Sequence, residues 1–220
     1  KRLFFRHNDL SHLEKRLVQN QNFSGNKFIV IESLYSMEGD FCPLNEIVTL
    51  AQKYGAEVIL DEAHSTGIIG PQGEGLAVSL GLEDSLLARI HTFGKAWGQT
   101  GALVIGSEVL IKYLINFCHS FIYTTAPSPI QIEILKHNFN YLKKNITSLS
   151  HLQKNIKLFA KELEISDWGL SPLFFFKGSG PNDIKKLCEK LAAIGPQVLP
   201  ILSPTVKKGE EGVLSLWFQD

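Results

Sequence analysis

Two short apolar runs constrain this chain more than any other feature: Phe28-Ile29-Val30-Ile31 and Val58-Ile59-Leu60. Both are rich in β-branched side chains, which fit a pleated surface. Continuous runs of this kind suit strands covered on both faces, as inside a parallel sheet. Between them Pro43 opens a helical pattern that places Leu44, Ile47, Val48, Leu50 and Ala51 on one side, and Gly55 stops it. Strand, helix, strand makes a βαβ crossover, which is nearly always right-handed. The expected class is therefore α/β with a mostly parallel sheet.

The flanking patterns extend this frame. Leu3-Phe4-Phe5 reads as a short strand. Leu10, Leu13 and Leu17 form a helical stripe, with Ser11 and Glu14 in capping-box spacing. Leu86 to Thr92 and Ala102 to Gly106 read as two more strands, paired antiparallel across Gly98-Gln99-Thr100-Gly101. Ser107 caps a helix to about Asn116, Pro127 and Pro129 precede a long helix to about Asn145, and Ser148 begins another that ends near Leu163. The pattern then changes. Pro172 to Phe176, Val198-Leu199 and Val213 to Phe218 read as strands around a helix, Asn182 to Ala193, with Ile184, Leu187, Leu191 and Ala192 inward. That is a small α+β unit. The expected division is 1–145, part of a large domain, and 146–220, part of a small C-terminal domain.

Composition narrows the partners. Lys+Arg and Asp+Glu both number 22, so the formal net charge is zero. Nothing steers the chain toward nucleic acid or an anionic membrane. Cys42, Cys118 and Cys188 form no C-x-x-C pair, which argues against a disulfide scaffold and a structural zinc site. No metal site is expected, and a reduced cytoplasmic setting fits. No apolar run is long enough to span a bilayer. The chain begins inside folded-looking sequence, so it is expected to be a piece of a longer protein.

The candidate chemistry sits where the strands end. Asp61-Glu62-Ala63-His64 follows one apolar run, and His91-Thr92-Phe93-Gly94-Lys95-Ala96 closes the next. Open α/β sheets bind ligands at the carboxyl ends of their strands. Lys95 lies between small residues after a strand. Held out of water, such a lysine loses its proton readily and can form a Schiff base. Asp61 suits either a helix N-cap or a carboxylate partner for a cationic ring nitrogen. His64 could meet a phenolic oxygen, and Thr92 either caps or binds phosphate. Asp-Glu-Ala-His also matches the acidic motif of nucleic-acid helicases. Those enzymes require G-x-x-x-x-G-K-[ST] as well. Here Arg89 stands at the first glycine and Ala96 at the final hydroxyl, so the motif is broken.

Six blocks together carry a family resemblance: Arg6-His7-Asn8-Asp9, Ser36-Met37-Glu38-Gly39-Asp40, Asp61-Glu62-Ala63-His64-Ser65-Thr66-Gly67, His91-Thr92-Phe93-Gly94-Lys95-Ala96, Tyr123-Thr124-Thr125-Ala126-Pro127 and Ser203-Pro204-Thr205-Val206. In this order the chain resembles the α-oxoamine synthases, pyridoxal-phosphate enzymes of aminotransferase fold type I. The resemblance implies a large-domain sheet with helices plus a small α+β domain, and pyridoxal 5'-phosphate as cofactor. It implies Lys95 as the Schiff-base lysine and proton carrier, Asp61 on the pyridinium nitrogen, and His64 and Ser36 near the phenolic oxygen. Thr92 is implied on the phosphate, Thr125 on the phosphate of a neighbouring subunit in a homodimer, and Thr205 at the substrate. The implied reaction joins an amino acid to an acyl-CoA with loss of carbon dioxide; within the family the match is nearest to the branch that uses L-alanine and pimeloyl-CoA in biotin biosynthesis. Glycine or serine acyltransferases, and a non-catalytic subunit that only dimerises, are the alternatives.

The chain also departs from the family pattern. The family's leading segment, with a histidine that stacks on the cofactor and backbone groups that hold its phosphate, is absent. The chain alone is therefore expected to bind cofactor weakly and not to turn over. Arginine occurs only at positions 2, 6, 16 and 89. Leu202 and Gly212-Val213-Leu214 stand where the family carries C-terminal arginines, and Glu74 replaces another. Lys207 and Lys208 read as solvated loop charges and are poor substitutes for an arginine fork.

Overall fold

The computed structural model describes residues 1–165, 169–193, 198–206 and 208–216. They form two units: residues 1–34 with 42–149, and residues 35–41 with those after 149.

In the first unit, strands β1 (Phe28–Glu32), β2 (Glu57–Asp61), β3 (Ala88–Thr92) and β4 (Ala102–Gly106) lie side by side in that order. The first three run parallel, and β4 returns antiparallel beside β3. Helix α2 (Leu44–Tyr54) makes the crossover from β1 to β2 and ends at Gly55. Its buried face is Leu44, Ile47, Val48 and Ala51, all but one of the expected stripe. Helix α1 (Leu10–Gln19) is tied to α2 where Glu14 accepts from Lys53 Nζ at 2.7 Å and from the Tyr54 hydroxyl at 2.8 Å.

Three expectations for this unit are corrected. Leu3-Phe4-Phe5 forms no strand. The cap of α1 is Asp9, whose carboxylate accepts from the His12 N–H at 2.8 Å; Ser11 already lies inside the helix. The β1 run is covered on one face only. Ile29 and Ile31 are buried, but Phe28 and Val30 remain 52% and 64% exposed. Alternation along the strand sends these pairs to opposite faces, and only one face meets described core residues.

Between β2 and β3 the glycine-rich loop leads to a short helix, α3 (Leu76–Leu80), and a 3-10 turn, neither anticipated from the pattern. After β4 come α4 (Glu108–Phe117), capped by Ser107, and α5 (His119–Ile122). Helix α6 (Pro129–Lys144) carries a complete capping box from Ser128 and Gln131. Helix α7 (Ile146–Glu162) starts slightly before Ser148. No helix among the described residues is long and apolar enough to cross a membrane.

The second unit holds an antiparallel sheet, ordered β5 (Leu173–Lys177), β7 (Gly212–Leu216), β6 (Val198–Ile201), with α8 (Pro181–Ala193). Phe174 is fully buried and meets the Phe159 ring edge-on at 4.6 Å. The buried face of α8 is Ile184, as expected, with Cys188, which was not; the expected Leu187 is 43% exposed. Helix α8 packs against β6 and the central strand β7. Trp217 and Phe218, expected in the last strand, lie outside the described residues.

Candidate functional site

Asp61 ends β2, in register with Glu32 on one side and Ile90 on the other. Its Oδ1 accepts from the Ala63 N–H at 2.8 Å, the short-range bond that fixes an aspartate at a turn. Residues 63–68 then run as turns, so Asp61 caps no helix. The turn is nailed to the end of β1: the Ser33 N–H donates to the Asp61 carbonyl at 2.8 Å, and the buried hydroxyls of Ser33 and Ser65 meet at 2.8 Å.

Lys95 sits on the connection from β3 to β4. Phe93 is buried at its root, and the loop closes through Phe93 N–H to Gly101 C=O and Gln99 N–H to Phe93 C=O, at 2.9 and 2.7 Å. Trp97 anchors the loop between Phe93 and Phe139, with ring centroids 5.0 and 5.9 Å away. The two segments touch. A Cβ added at Gly67 would lie 2.9 Å from Trp97 Cδ1, so the turn after His64 rests directly on the lysine loop. The loop leads into an antiparallel strand, where a helicase phosphate loop needs a helix. Lys95 is exposed, as are its neighbours Gly94 and Ala96.

Electrostatics link the three side chains. His64 is half-buried, and its burial is the main cause holding the imidazole below the ordinary histidine range. The Lys95 ammonium pushes the same way, and the Asp61 carboxylate opposes it. His64 is thus neutral near pH 7 and able to donate from one ring nitrogen and accept at the other. Replacing Lys95 with methionine removes a positive charge and is expected to raise the His64 titration midpoint, though not to the ordinary value, since burial remains. Histidine side-chain NMR reads this directly; an unmoved midpoint would place Lys95 away from His64.

Thr92, the last residue of β3, has a shielded hydroxyl with no hydrogen-bond partner among the described residues. Thr125 lies on an exposed stretch after α5. Ser36 and Thr205 belong to the second unit. Ser36 is half-buried in a turn closed by Gly39 N–H to Tyr35 C=O and Tyr35 N–H to Asp40 C=O, both 2.9 Å. Thr205 is exposed, and its N–H donates to the Leu202 carbonyl at 2.9 Å. Leu202 itself packs on Ile184, Cys188 and Val213 in the small core. Lys207 lies outside the described residues.

Sequence reasoning gave no role to the groups behind Asp61. Glu62 is wholly buried. Its Oε1 accepts from the Ala77 N–H at 2.9 Å, and its Oε2 lies 3.2 Å from His91 Nε2 and 3.7 Å from Arg89 Nη1. Arg89 and His91 are two apart on β3 and so share its rear face, a period-two signal present in the sequence. The glycine loop closes over this carboxyl: at Gly75, φ is +106° and an added Cβ would fall 2.6 Å from Glu62 Cδ. Gly75→Ala is therefore expected to cost about 1–3 kcal/mol, read as a lower urea midpoint for this unit.

Residues 4–214 match the family described as aminotransferase class I and II. The chain is 34% identical over 213 residues to an 8-amino-7-oxononanoate synthase of Lysinibacillus sphaericus, covering 95% of this chain and 54% of that protein. It superposes on a serine palmitoyltransferase from S. paucimobilis, solved with PLP and myriocin bound, with a TM-score of 0.86 and 26% identity over 97% of this chain and 55% of the other. On an 8-amino-7-oxononanoate synthase from Francisella tularensis the TM-score is 0.81 at 26% identity, over 98% and 62% of the two chains. The chain thus spans about half the length of the curated relatives it matches.

Proposed function

The chain belongs to the aminotransferase class I and II family, and we propose that the protein containing it is a pyridoxal-phosphate acyltransferase that condenses an amino acid with an acyl-CoA. The observation that carries this reading is the cluster of Lys95, His64 and Asp61 at the carboxyl ends of parallel strands. The residues fit pyridoxal phosphate. Asp61 keeps one carboxylate oxygen for a ring nitrogen while the other holds the turn. The Thr92 hydroxyl, without a hydrogen-bond partner among the described residues, suits a phosphate oxygen.

In this reading Asp61 holds the ring nitrogen, His64 and Ser36 the phenolic oxygen, and Thr92 the phosphate. Thr125 serves the phosphate of the neighbouring subunit in a homodimer, and Thr205 meets substrate. The bound cofactor supplies an electron-withdrawing ring that stabilises negative charge on the substrate α-carbon. Lys95 would hold the cofactor through Nζ, and the same nitrogen, once free, would accept the α-proton. Neutral His64 contributes a hydrogen bond without placing a second cation beside the amine. The Asp61 charge keeps a ring proton in place throughout.

The finer reading is L-alanine with pimeloyl-CoA, giving 8-amino-7-oxononanoate, coenzyme A and carbon dioxide. Relatives of that name support it. A panel of amino acids against acyl-CoA thioesters on the full-length protein tests it. L-Alanine with pimeloyl-CoA is expected to give the highest kcat/KM; a higher value for serine or glycine with another thioester would replace this assignment.

A further inference from the structure

We propose that Glu62 and His91 hold a single proton between Oε2 and Nε2, and that this neutral pair is the positioning element that locks the ends of β2 and β3 together behind the candidate site. Hydrogen-bond accounting leads there. Thr66 Oγ1 lies 2.6 Å from the Glu62 carbonyl, which can only accept, so the threonine proton points to that carbonyl. The same Oγ1 lies 2.8 Å from His91 Nδ1, so Nδ1 must be the donor of that bond. Neutral His91 is then left with a bare lone pair at Nε2, facing Glu62 Oε2 at 3.2 Å.

Those two atoms are shielded and have no other hydrogen-bond partner among the described residues. Two lone pairs in contact would repel, and a buried pair left unsatisfied is costly. One proton between them satisfies both. The charged groups acting here are Arg89 and Asp61. Burial pushes Glu62 up and is the largest cause holding His91 down to about 4; both shifts disfavour separated charges. Each partner adjoins a residue of the site: Glu62 follows Asp61 and His91 precedes Thr92. Strand alternation points Asp61 and Thr92 forward while their neighbours join at the rear.

The link from this pair to cofactor binding rests on the proposed pyridoxal-phosphate reading; the pair itself does not. The first arm therefore needs no cofactor. In the cofactor-free full-length protein, the His91 side-chain nitrogen signals are expected to stay at neutral-imidazole values from about pH 5 to about pH 8. Glu62→Gln supplies a fixed amide donor to Nε2 and is expected to keep the wild-type thermal midpoint, while Glu62→Leu lowers it. A His91 that titrates normally, or a Gln variant as damaged as the Leu variant, would overturn the shared proton. The second arm measures pyridoxal phosphate binding. Glu62→Leu is expected to raise Kd about tenfold, the scale on which supporting residues act behind metal ligands, and Glu62→Gln to restore it. An unchanged Kd in Glu62→Leu would remove the positioning role. No binding by wild-type protein would instead sink the cofactor reading and leave the pair standing.

Discussion

Lys95→Ala in the full-length protein is expected to abolish the long-wavelength absorbance of lysine-bound pyridoxal phosphate and to lower kcat by about 10⁴-fold, the upper range for a residue that also transfers protons. The size follows from two roles lost at one nitrogen. On the proposed reading, the variant removes both the amine that would anchor the cofactor and the base that would take the α-proton. Lys95→Arg separates charge from chemistry. Arginine keeps the positive charge that acts on His64, yet its guanidinium does not deprotonate in proteins and cannot replace the amine. It is expected to be as inactive as alanine while leaving the His64 midpoint near its wild-type position. An absorbance band that survives in both variants would exclude Lys95 as the anchor.

How far the sequence could carry this argument depends on where each interaction is encoded. The β1 and β2 runs are legible because a short apolar run and β-branching are local, and so is the turn to the antiparallel β4. The cap of α1 is ambiguous in sequence because Ser11 has capping-box spacing to Glu14 while Asp9 stands directly before the stripe that begins at Leu10; the Asp9 to His12 bond decides between them. Burial was less legible than strand identity. Phe28 and Ile29 look equivalent in sequence, but one is exposed and the other buried. The glycine and alanine that flank Lys95 say nothing about what covers it, and its exposure is seen only in the structure. The Glu62, Thr66 and His91 cluster was hidden because it exists only through the register of β2 against β3, which no local pattern states. Position along the chain thus gave the site's front, and strand pairing gave its back.

Asp61→Asn isolates the remaining term, charge at the ring nitrogen. Asparagine has nearly the same shape, and its carbonyl oxygen can still accept from the Ala63 N–H that Asp61 Oδ1 now holds at 2.8 Å. The turn, its bond to Ser33 and the packing of Gly67 on Trp97 should therefore persist, and the thermal midpoint should barely move. On the proposed reading, what is lost is the negative charge that would keep the ring nitrogen protonated. A fixed electrostatic partner of this kind is typically worth about 10²–10³ in kcat. The expected result is a fall of that size with KM for the amino acid little changed. A second consequence has a definite sign. The Asp61 charge favours the imidazolium form of His64, so removing it should push the His64 midpoint still lower. Asp61→Glu keeps the charge but displaces it by a methylene and weakens the bond to Ala63, so it should lose both activity and stability. If Asp61→Asn instead retains full kcat, the Asp61 charge does not act on the ring nitrogen and its carboxylate serves the turn alone.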